Sequence, residues 1–260
     1  MDADCFFLKW DFSPPNYFER NVVIEQENIK VTITFGVIEA KVIAETCDDD
    51  AWIARSTIQK LLETRFKGAQ LICHKPYSLN FTGVKKINSD GTKTNIILCE
   101  TGKFTIKGHP VDLSYTDANG KVFDSKQERI ERKRRFSELS QKYYDDLCVA
   151  LLLQSYEGAV RDPDNELSYL YQIKDCLCKL FVNEKKVPEI LKISKQDWDD
   201  VKNHLGRHAN NPEAMEGRHR GRSLGVIRRS TEEELQKARH SAVLLIEHYF
   251  TYLENRGNNR

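Results

Sequence analysis

The sequence predicts an α+β protein, with an N-terminal antiparallel β-rich domain that contains one helix and a C-terminal all-α antiparallel bundle. Two observations support this division. Apolar residues recur at every second position in parts of the first half, whereas beyond residue 125 they recur at spacings of three and four. A chain of 260 residues is also long enough for two ordinary domains. We therefore expect a β-rich recognition domain at 1–124 and a helical bundle at 125–260.

In the β-rich half, alternation is clearest between residues 22 and 45. The alternating apolar positions are Ile29, Val31, Ile33 and Phe35. Turns are expected at Glu27-Asn28 and at Gly36, because an apolar run resumes after each of them. The pairs Asp90-Gly91 and Asn119-Gly120 are typical of hairpin turns and predict two further hairpins.

One helix is expected to interrupt these strands. Asp48 to Asp50 would place acidic side chains in its first turn, where the helix dipole favours negative charge. Apolar residues follow at helical spacing up to Gly68, before which we expect the helix to end. These apolar residues are Trp52, Ile53, Ile58, Leu61, Leu62 and Phe66.

The second half begins with a dense run of charges at 126–135, which contains six basic and two acidic residues. It has two interpretations, a nucleic-acid-binding patch or the solvated face at the start of a long helix. Further helices are expected after the breaker at 162–165 and after a connection at 185–188. Ser194 is a predicted N-cap.

The last helix is predicted to open with a capping box formed by Ser230 and Glu233. Its apolar residues recur at spacings of three and four along the rest of the chain. Four or five helices of this length would pack as an antiparallel bundle.

Positive charge is concentrated between residues 202 and 229. This segment contains seven of the lysines and arginines and three of the seven histidines, although the whole chain has a net charge of only +1. Gly217 and Gly221 flank the triplet Arg218-His219-Arg220, and we expect the glycines to let this loop approach a ligand closely. Arginine binds phosphate with two hydrogen bonds, and histidine exchanges a proton near neutral pH. Binding of RNA or of another phosphate-bearing ligand, or RNA cleavage, is therefore the leading hypothesis.

The candidate catalytic residues are His219 as general acid or base, Arg218 as a phosphate ligand, and Asp175 as the residue that orients one of them. The candidate ligand-binding residues are Arg207, Asn210, Arg220 and Arg222. A competing interpretation is that the arginines only hold the loop through ion pairs with acids on neighbouring helices.

No metal and no cofactor are expected at this loop. Carboxylates do not cluster there, and the pair His204 and His208, four residues apart, lacks a third ligand. The seven cysteines are scattered through apolar segments without a CxxC pair, which is typical of core residues in a reducing compartment. No apolar run approaches the ~18 residues that span a bilayer, and the acidic start does not suit a signal peptide. A cytoplasmic protein without membrane association is expected.

The second half contains two motifs, a helix with the pattern Leu-Tyr-x-Ile-x-acid and a loop with the pattern Ala-Asn…Arg-His-x-Gly. In this sequence they are Leu170, Tyr171, Ile173 and Asp175, followed by Ala209, Asn210, Arg218, His219 and Gly221. By these motifs the segment from about 126 to 258 resembles a set of uncharacterised bacterial proteins. Its expected helical layout also resembles the HEPN superfamily of small helical bundles.

Members of the HEPN superfamily are often ribonucleases in antiviral defence and toxin systems, and their sites are generally assembled in a dimer. The resemblance therefore implies RNA as a substrate and a homodimer. This chain departs from the family pattern, because no arginine is followed by a histidine after four to six residues. Either the site is rebuilt around Arg218 and His219, or the chain binds RNA without cutting it. The alternative function is a protein-interaction or sensor module, whose β domain recognises a partner and whose bundle dimerises.

Overall fold

A computed structural model of the protein describes residues 5–26, 28–43, 50–87, 92–97, 114–116, 122–220, 222 and 226–257. The chain divides into two compact units. The first comprises Met1–Cys73 and Tyr77–Gln141, and the second comprises His74–Pro76 and Lys142–Arg260. The first contains the sheet and the second is helical, so the predicted α+β class is confirmed. Among the described helices, none has the length and apolar character needed to cross a membrane.

The first unit is built on a six-stranded antiparallel sheet. Its strands are β1 (Cys5–Ser13), β2 (Val22–Gln26), β3 (Ile29–Ile33), β4 (Val37–Ile43), β5 (Ser78–Ile87) and β6 (Lys93–Ile97). They lie in the order β2-β3-β4-β1-β5-β6. Every second residue of β1 is buried, since Phe6, Leu8, Trp10 and Phe12 face the core. A separate antiparallel pair is formed by β7 (Ser114–Thr116) and β8 (Val122–Asp124).

The strand predictions are largely confirmed, with one correction. Gly36 lies in the turn between β3 and β4 with a φ of 76°, which glycine adopts without strain. Phe35, which was expected to continue the alternation of β3, is instead part of this turn and is 71% exposed. Glu27, residues 88–91 and residues 117–121, which include the other predicted turns, lie outside the described residues.

The predicted helix of this unit is α1 (Asp50–Cys73), which covers the sheet with Ile58, Leu62 and Phe66 fully buried. The prediction that it would end before Gly68 is wrong. A Cβ atom at Gly68 would lie 2.6 Å from the carbonyl oxygen of Phe136, so this glycine allows another helix to approach α1 closely.

That other helix is α2 (Ser125–Lys142), which contains the charge run. The structure divides after Gln141, not at the predicted boundary of 124/125, because α2 packs within the first unit. Its Lys133 is buried and donates hydrogen bonds to the carbonyl oxygen of Tyr17 and to the carboxylate of Glu19. Arg129 also donates to Glu19, at 2.6 Å. Part of the charge run is therefore used to hold a loop of this unit.

The second unit is built from α3 (Leu147–Arg161), α4 (Glu166–Leu180), α5 (Lys186–Ile190), α6 (Lys195–Val201) and α7 (Glu232–Gly257). The expectation of one long helix after residue 125 is corrected, because the chain breaks before α3. The side chain of Asp146 accepts a hydrogen bond from the backbone N–H of Val149 at 2.9 Å and caps the new helix. The predicted breaker at 162–165 is confirmed as a 3₁₀ turn, whereas part of the predicted connection at 185–188 belongs to α5.

Two predicted helix starts have different outcomes. Ser194 caps α6 as predicted, since its hydroxyl accepts a hydrogen bond from the N–H of Asp197 at 3.1 Å. The capping box of α7 is shifted by one residue, because Thr231 and Glu234 form it in place of the predicted pair. Ser230 is unavailable for this role because it binds the buried carboxylate of Glu216.

A buried ionic cluster fixes α4 against α7. Glu166 on α4 is 2% exposed and accepts hydrogen bonds from Arg239 on α7 at 2.6 and 2.9 Å. The ring of His74 lies 3.4 Å from the same carboxylate and 3.1 Å from the hydroxyl of Tyr156. This cluster satisfies a buried carboxylate from several sides and orients the helix that carries Tyr171.

Candidate phosphate-binding site

The basic segment begins on a widened helical turn. After α6 the chain forms a π-helical turn at Lys202–Arg207, in which the N–H of His208 bonds to the carbonyl of Asn203 at 3.0 Å. Leu205 and Ala209 anchor this turn in the core, and Arg207 is exposed. Such turns are frequent at functional sites because they change which side chains share a face.

The chain then folds back on the end of this turn. The N–H of Arg218 bonds to the carbonyl of Ala209 at 2.8 Å. Gly217 makes this return easier, since a Cβ there would lie 3.1 Å from the carbonyl oxygens of Ala209 and Ala214, tighter than an ordinary contact. The close approach made at Gly217 is thus to the chain's own backbone, not to a ligand as the sequence suggested. Gly221, the other flanking glycine, lies outside the described residues.

A buried carboxylate holds the far side of the loop. Glu216 is 2% exposed and accepts hydrogen bonds from the N–H and the hydroxyl of Ser230 at 3.0 and 2.9 Å. Its own carbonyl accepts from the N–H of Ser168 at 3.2 Å. The position of Arg218, two residues later, is therefore fixed by buried contacts on both sides.

Arg218 lies over an aromatic ring of α4. The centre of its guanidinium group is 4.1 Å from the centroid of the Tyr171 ring, a cation–π contact. One guanidinium nitrogen also lies 3.5 Å from the side-chain oxygen of Asn210, whose amide donates to the carbonyl of Gly206 at 2.8 Å. The loop, the π-helical turn and α4 thus meet at Tyr171.

An open cleft of about 670 Å³ lies at this meeting point. Its lining residues come from α4, α6, the π-helical turn and the chain around them. They are Tyr171, Lys174, Glu184, Asp199, Lys202, Asn203, Gly206, Arg207 and Asn210. We call this surface the Tyr171 cleft.

The cleft has an excess of positive charge. Lys174 pairs with Glu184 at 2.9 Å and Lys202 pairs with Asp199 at 2.6 Å, so these four charges balance. Arg207 in the cleft and Arg218 on Tyr171 have no carboxylate partner within the part of the chain that the structure describes. Two guanidinium groups are therefore available to an anion.

The sequence-predicted residues fall into two groups. Arg207 and Asn210 line the cleft, and Arg218 lies beside it, in contact with Tyr171 and Asn210. Arg220 is used within the loop region, where it donates to the carbonyl oxygens of Asp164 and Met215 at 2.9 and 3.2 Å. Arg220 therefore holds the loop, as the competing interpretation expected. Its acceptors, however, are backbone carbonyl groups and not the acidic side chains of that interpretation.

The remaining three candidates lie outside this arrangement. Asp175 forms an ion pair with Lys179, one turn further along α4, at 2.8 Å. His219 is partly buried and Arg222 is exposed, and the N–H of Arg222 bonds to the carbonyl of His219 at 3.1 Å. None of the three belongs to the lining of the cleft.

Tyr171 was not predicted as part of the candidate site, although it belongs to one of the two sequence motifs. Leu170 and Ile173 are fully buried, so Tyr171 and Lys174 occupy neighbouring positions at the edge of the buried stripe of α4. An aromatic residue next to a lysine at the edge of an apolar stripe was the sequence signal that could have indicated a ligand-binding surface here.

The histidine pair of the π-helical segment is occupied by other contacts. His204 lies 3.1 Å from the hydroxyl of Ser241, and His208 lies 3.1 Å from the hydroxyl of Ser230. Burial lowers the pKa of His204. Across the described residues no group of three or more possible ligands has the arrangement of a metal site.

Comparison with known protein families, with characterised proteins and with solved structures found no significant match to this chain. The resemblance to HEPN bundles, and the ribonuclease activity that it implies, therefore stay predictions.

Proposed function

We propose that this protein binds a phosphate-bearing ligand in the Tyr171 cleft, and that the ligand is single-stranded RNA. The observation that carries the proposal is the pairing of an aromatic ring with two guanidinium groups, those of Arg207 and Arg218, that have no carboxylate partner among the described residues. Single-stranded nucleic acids are bound by this combination, because phosphates pair with cations while bases stack on aromatic rings.

Each part of the cleft has a role in this proposal. Arg207 and Arg218 bind phosphate oxygens through two hydrogen bonds each. Asn203 and Asn210 supply amide groups for sugar or base edges. The ring of Tyr171 supports a base or the arginine that holds the neighbouring phosphate. A role in defence against phage follows only from the HEPN resemblance and is part of the proposal.

The lysines of the cleft add to binding by exchanging partners. Lys202 and Asp199 are both about two-fifths exposed (45% and 43%), and an exposed ion pair of this kind adds little to stability because water screens it. A phosphate can therefore displace Asp199 from Lys202 at small cost. The 7% exposed Lys174 gives up its hydrogen bond to Glu184 less readily.

The experiment is a titration of fluorescently labelled single-stranded RNA, followed by anisotropy at several salt concentrations. Wild-type protein should bind at low salt with an affinity that falls steeply as salt rises. Arg207→Ala with Arg218→Ala should reduce the slope of log affinity against log salt by about 1.4, since each phosphate contact on a single strand contributes about 0.7. Tyr171→Leu should weaken binding by about tenfold, the lower part of the range for base stacking.

A charge-matched control separates the cleft from general attraction. Arg132→Ala with Arg256→Ala removes the same charge from exposed helix positions outside the cleft and should leave the slope within about 0.3 of wild type. Absence of RNA binding at low salt, or equal losses in the two double variants, would refute the proposal.

A second candidate function, the interaction module, is favoured by exposed apolar residues. Phe35 is 71% exposed and lines a cleft of about 410 Å³ in the first unit, together with Arg20 and Lys126. Leu147 and Leu151 lie one turn apart on α3 and are 74% and 44% exposed. An acidic protein partner fits the first surface and a second copy of the bundle fits the other.

The second candidate makes its own prediction about association. Leu147→Glu with Leu151→Glu should convert a dimer to a monomer in sedimentation velocity, while Phe35→Ser leaves the dimer intact. A monomeric wild-type protein that binds RNA would exclude dimerisation through the Leu147 and Leu151 surface and retain the first function.

A further inference from the structure

Two cysteine side chains of the helical unit lie in contact. The sulfur of Cys148, near the start of α3, is 3.7 Å from the sulfur of Cys176 on α4. Both cysteines are free thiols. A disulfide needs its sulfurs about 2.0 Å apart, so the two atoms must approach by less than the length of a carbon–sulfur bond.

The packing of α3 on α4 explains why these thiols meet. Gly158 on α3 lies against the ring of Tyr169 on α4, and a Cβ atom at Gly158 would be 2.6 Å from that ring. The glycine therefore lets the two antiparallel helices pack closely. The contact between the thiols lies on this same helix pair.

The two thiols differ in accessibility. Cys148 is 8% exposed, and the hydroxyl of Tyr249 lies close to it and is 3.2 Å from the carboxylate of Asp146. Cys176 is only partly buried and lies one turn from the exposed Lys179. A small oxidant can therefore reach Cys176 first, whereas Cys148 is shielded from solvent.

We propose that Cys148 and Cys176 are a redox modification site, which closes to a disulfide on exposure to a peroxide and reopens with a dithiol reductant. Cysteines that act in this way pair an accessible thiol with a resolving thiol beside it. The hydrogen bond from Cys148 lowers the pKa of Cys176, and hydrogen bonding and burial raise that of Cys148. Cys176 is thus the attacking thiolate and Cys148 the resolving thiol.

Oxidation of this pair by hydrogen peroxide takes place in two steps. The Cys176 thiolate attacks one oxygen of hydrogen peroxide, the O–O bond breaks, and the departing hydroxide takes up the thiol proton to leave as water. The resulting sulfenic acid is attacked at sulfur by Cys148, which loses its proton, and the sulfenic oxygen departs as a second water. Two thiols and one peroxide thus give one disulfide and two waters, with sulfur oxidised and peroxide reduced.

The chain offers a matched control in Cys178. It lies two residues from Cys176 on the same helix and is also a partly buried free thiol. Burial raises the pKa of Cys178, and the contact at 3.7 Å is made by Cys176. General thiol oxidation would affect both residues, whereas the proposed site uses only one.

The experiment maps thiols in the full chain before and after a small excess of hydrogen peroxide. Free thiols are alkylated, and the protein is digested with trypsin and analysed by mass spectrometry without reduction. The expected product joins the peptide of residues 143–161 to that of 175–179 with the loss of two hydrogens, and dithiothreitol reverses it. The second peptide contains Cys178 as well as Cys176, so Cys178→Ser identifies the partner: the cross-link should persist in this variant, because Cys176 makes the contact with Cys148.

Two further results decide the assignment. Cys148→Ser should abolish the cross-linked peptide and leave a sulfenic acid at Cys176 that dimedone traps. Wild-type protein whose 143–161 peptide is fully alkylated after peroxide treatment would overturn the proposal. So would a cross-link lost in Cys178→Ser. Because the mapping is performed on wild-type protein, the test does not depend on every variant folding.

Discussion

Neutralising Glu19 should destabilise the first unit far more than neutralising an exposed glutamate on the sheet of that unit. Glu19 accepts hydrogen bonds from Arg129 and from Lys133, and the side chain of Lys133 is only 5% exposed. Burial raises the pKa of Glu19, but the bonds from Arg129 and Lys133 outweigh burial and hold the pKa at about 2. Glu19→Gln leaves two cations facing a neutral amide.

The magnitude follows from that pKa. The ordinary value is 4.5, and each pKa unit corresponds to about 1.4 kcal/mol, so the ionised carboxylate contributes about 3 kcal/mol. Solvent reaches 14% of this side chain, and screening reduces the expected loss in Glu19→Gln to about 2–3 kcal/mol at pH 7. Glu25→Gln is the control: its pair with Lys30 is exposed, so the loss should be much smaller than in Glu19→Gln.

The pH dependence has a defined direction. Because folding lowers the pKa of Glu19, its stabilisation is complete above pH 4.5 and is lost as the pH falls towards 2. The difference between wild type and Glu19→Gln should therefore shrink to less than half at about pH 3. Glu19→Gln and wild type should behave alike at about pH 2.

The assay is urea unfolding of the full chain at pH 7 and pH 3. Each protein carries Trp198→Phe, so that the remaining tryptophans, Trp10 and Trp52, report on the first unit. A cost for Glu19→Gln no larger than that of Glu25→Gln would refute this reasoning. A cost that is equal at both pH values would refute the assignment of the effect to the ionised carboxylate.

Three further predictions follow from other contacts. Gly68→Ala should cost about 1–3 kcal/mol in thermal or urea unfolding by overpacking the helix contact, whereas Gly257→Ala, which has open space around it, should be neutral. Glu216→Gln should cost about 1–3 kcal/mol and weaken RNA binding by displacing Arg218, and unchanged affinity would show that the loop is held by other contacts. His219 lies outside the lining of the Tyr171 cleft, so if bound RNA is also cut, His219→Gln should leave both cleavage in chelator-treated buffer and affinity within about twofold of wild type; loss of cleavage at unchanged affinity would identify this histidine as the general base that the 2′-hydroxyl needs.

Much of the fold could be predicted from local sequence signals. The alternation from residue 29 onwards predicted β3, and the hydroxyl of Ser194 before an acidic turn predicted the start of α6. These signals work because strand alternation and helix capping depend on residues close together in the chain. The concentration of positive charge between residues 202 and 229 was equally visible in the sequence alone.

Only the tertiary structure decided which of these signals carry a site. Arg218 and Arg220 are indistinguishable in sequence, yet one rests on the ring of Tyr171 and the other holds backbone carbonyls. Gly68 would end an isolated helix, but in this fold it makes room for α2. The physical reason is the same in each case. A side chain's partner is set by which distant segments pack together, and burial of apolar faces, not local propensity, determines that packing.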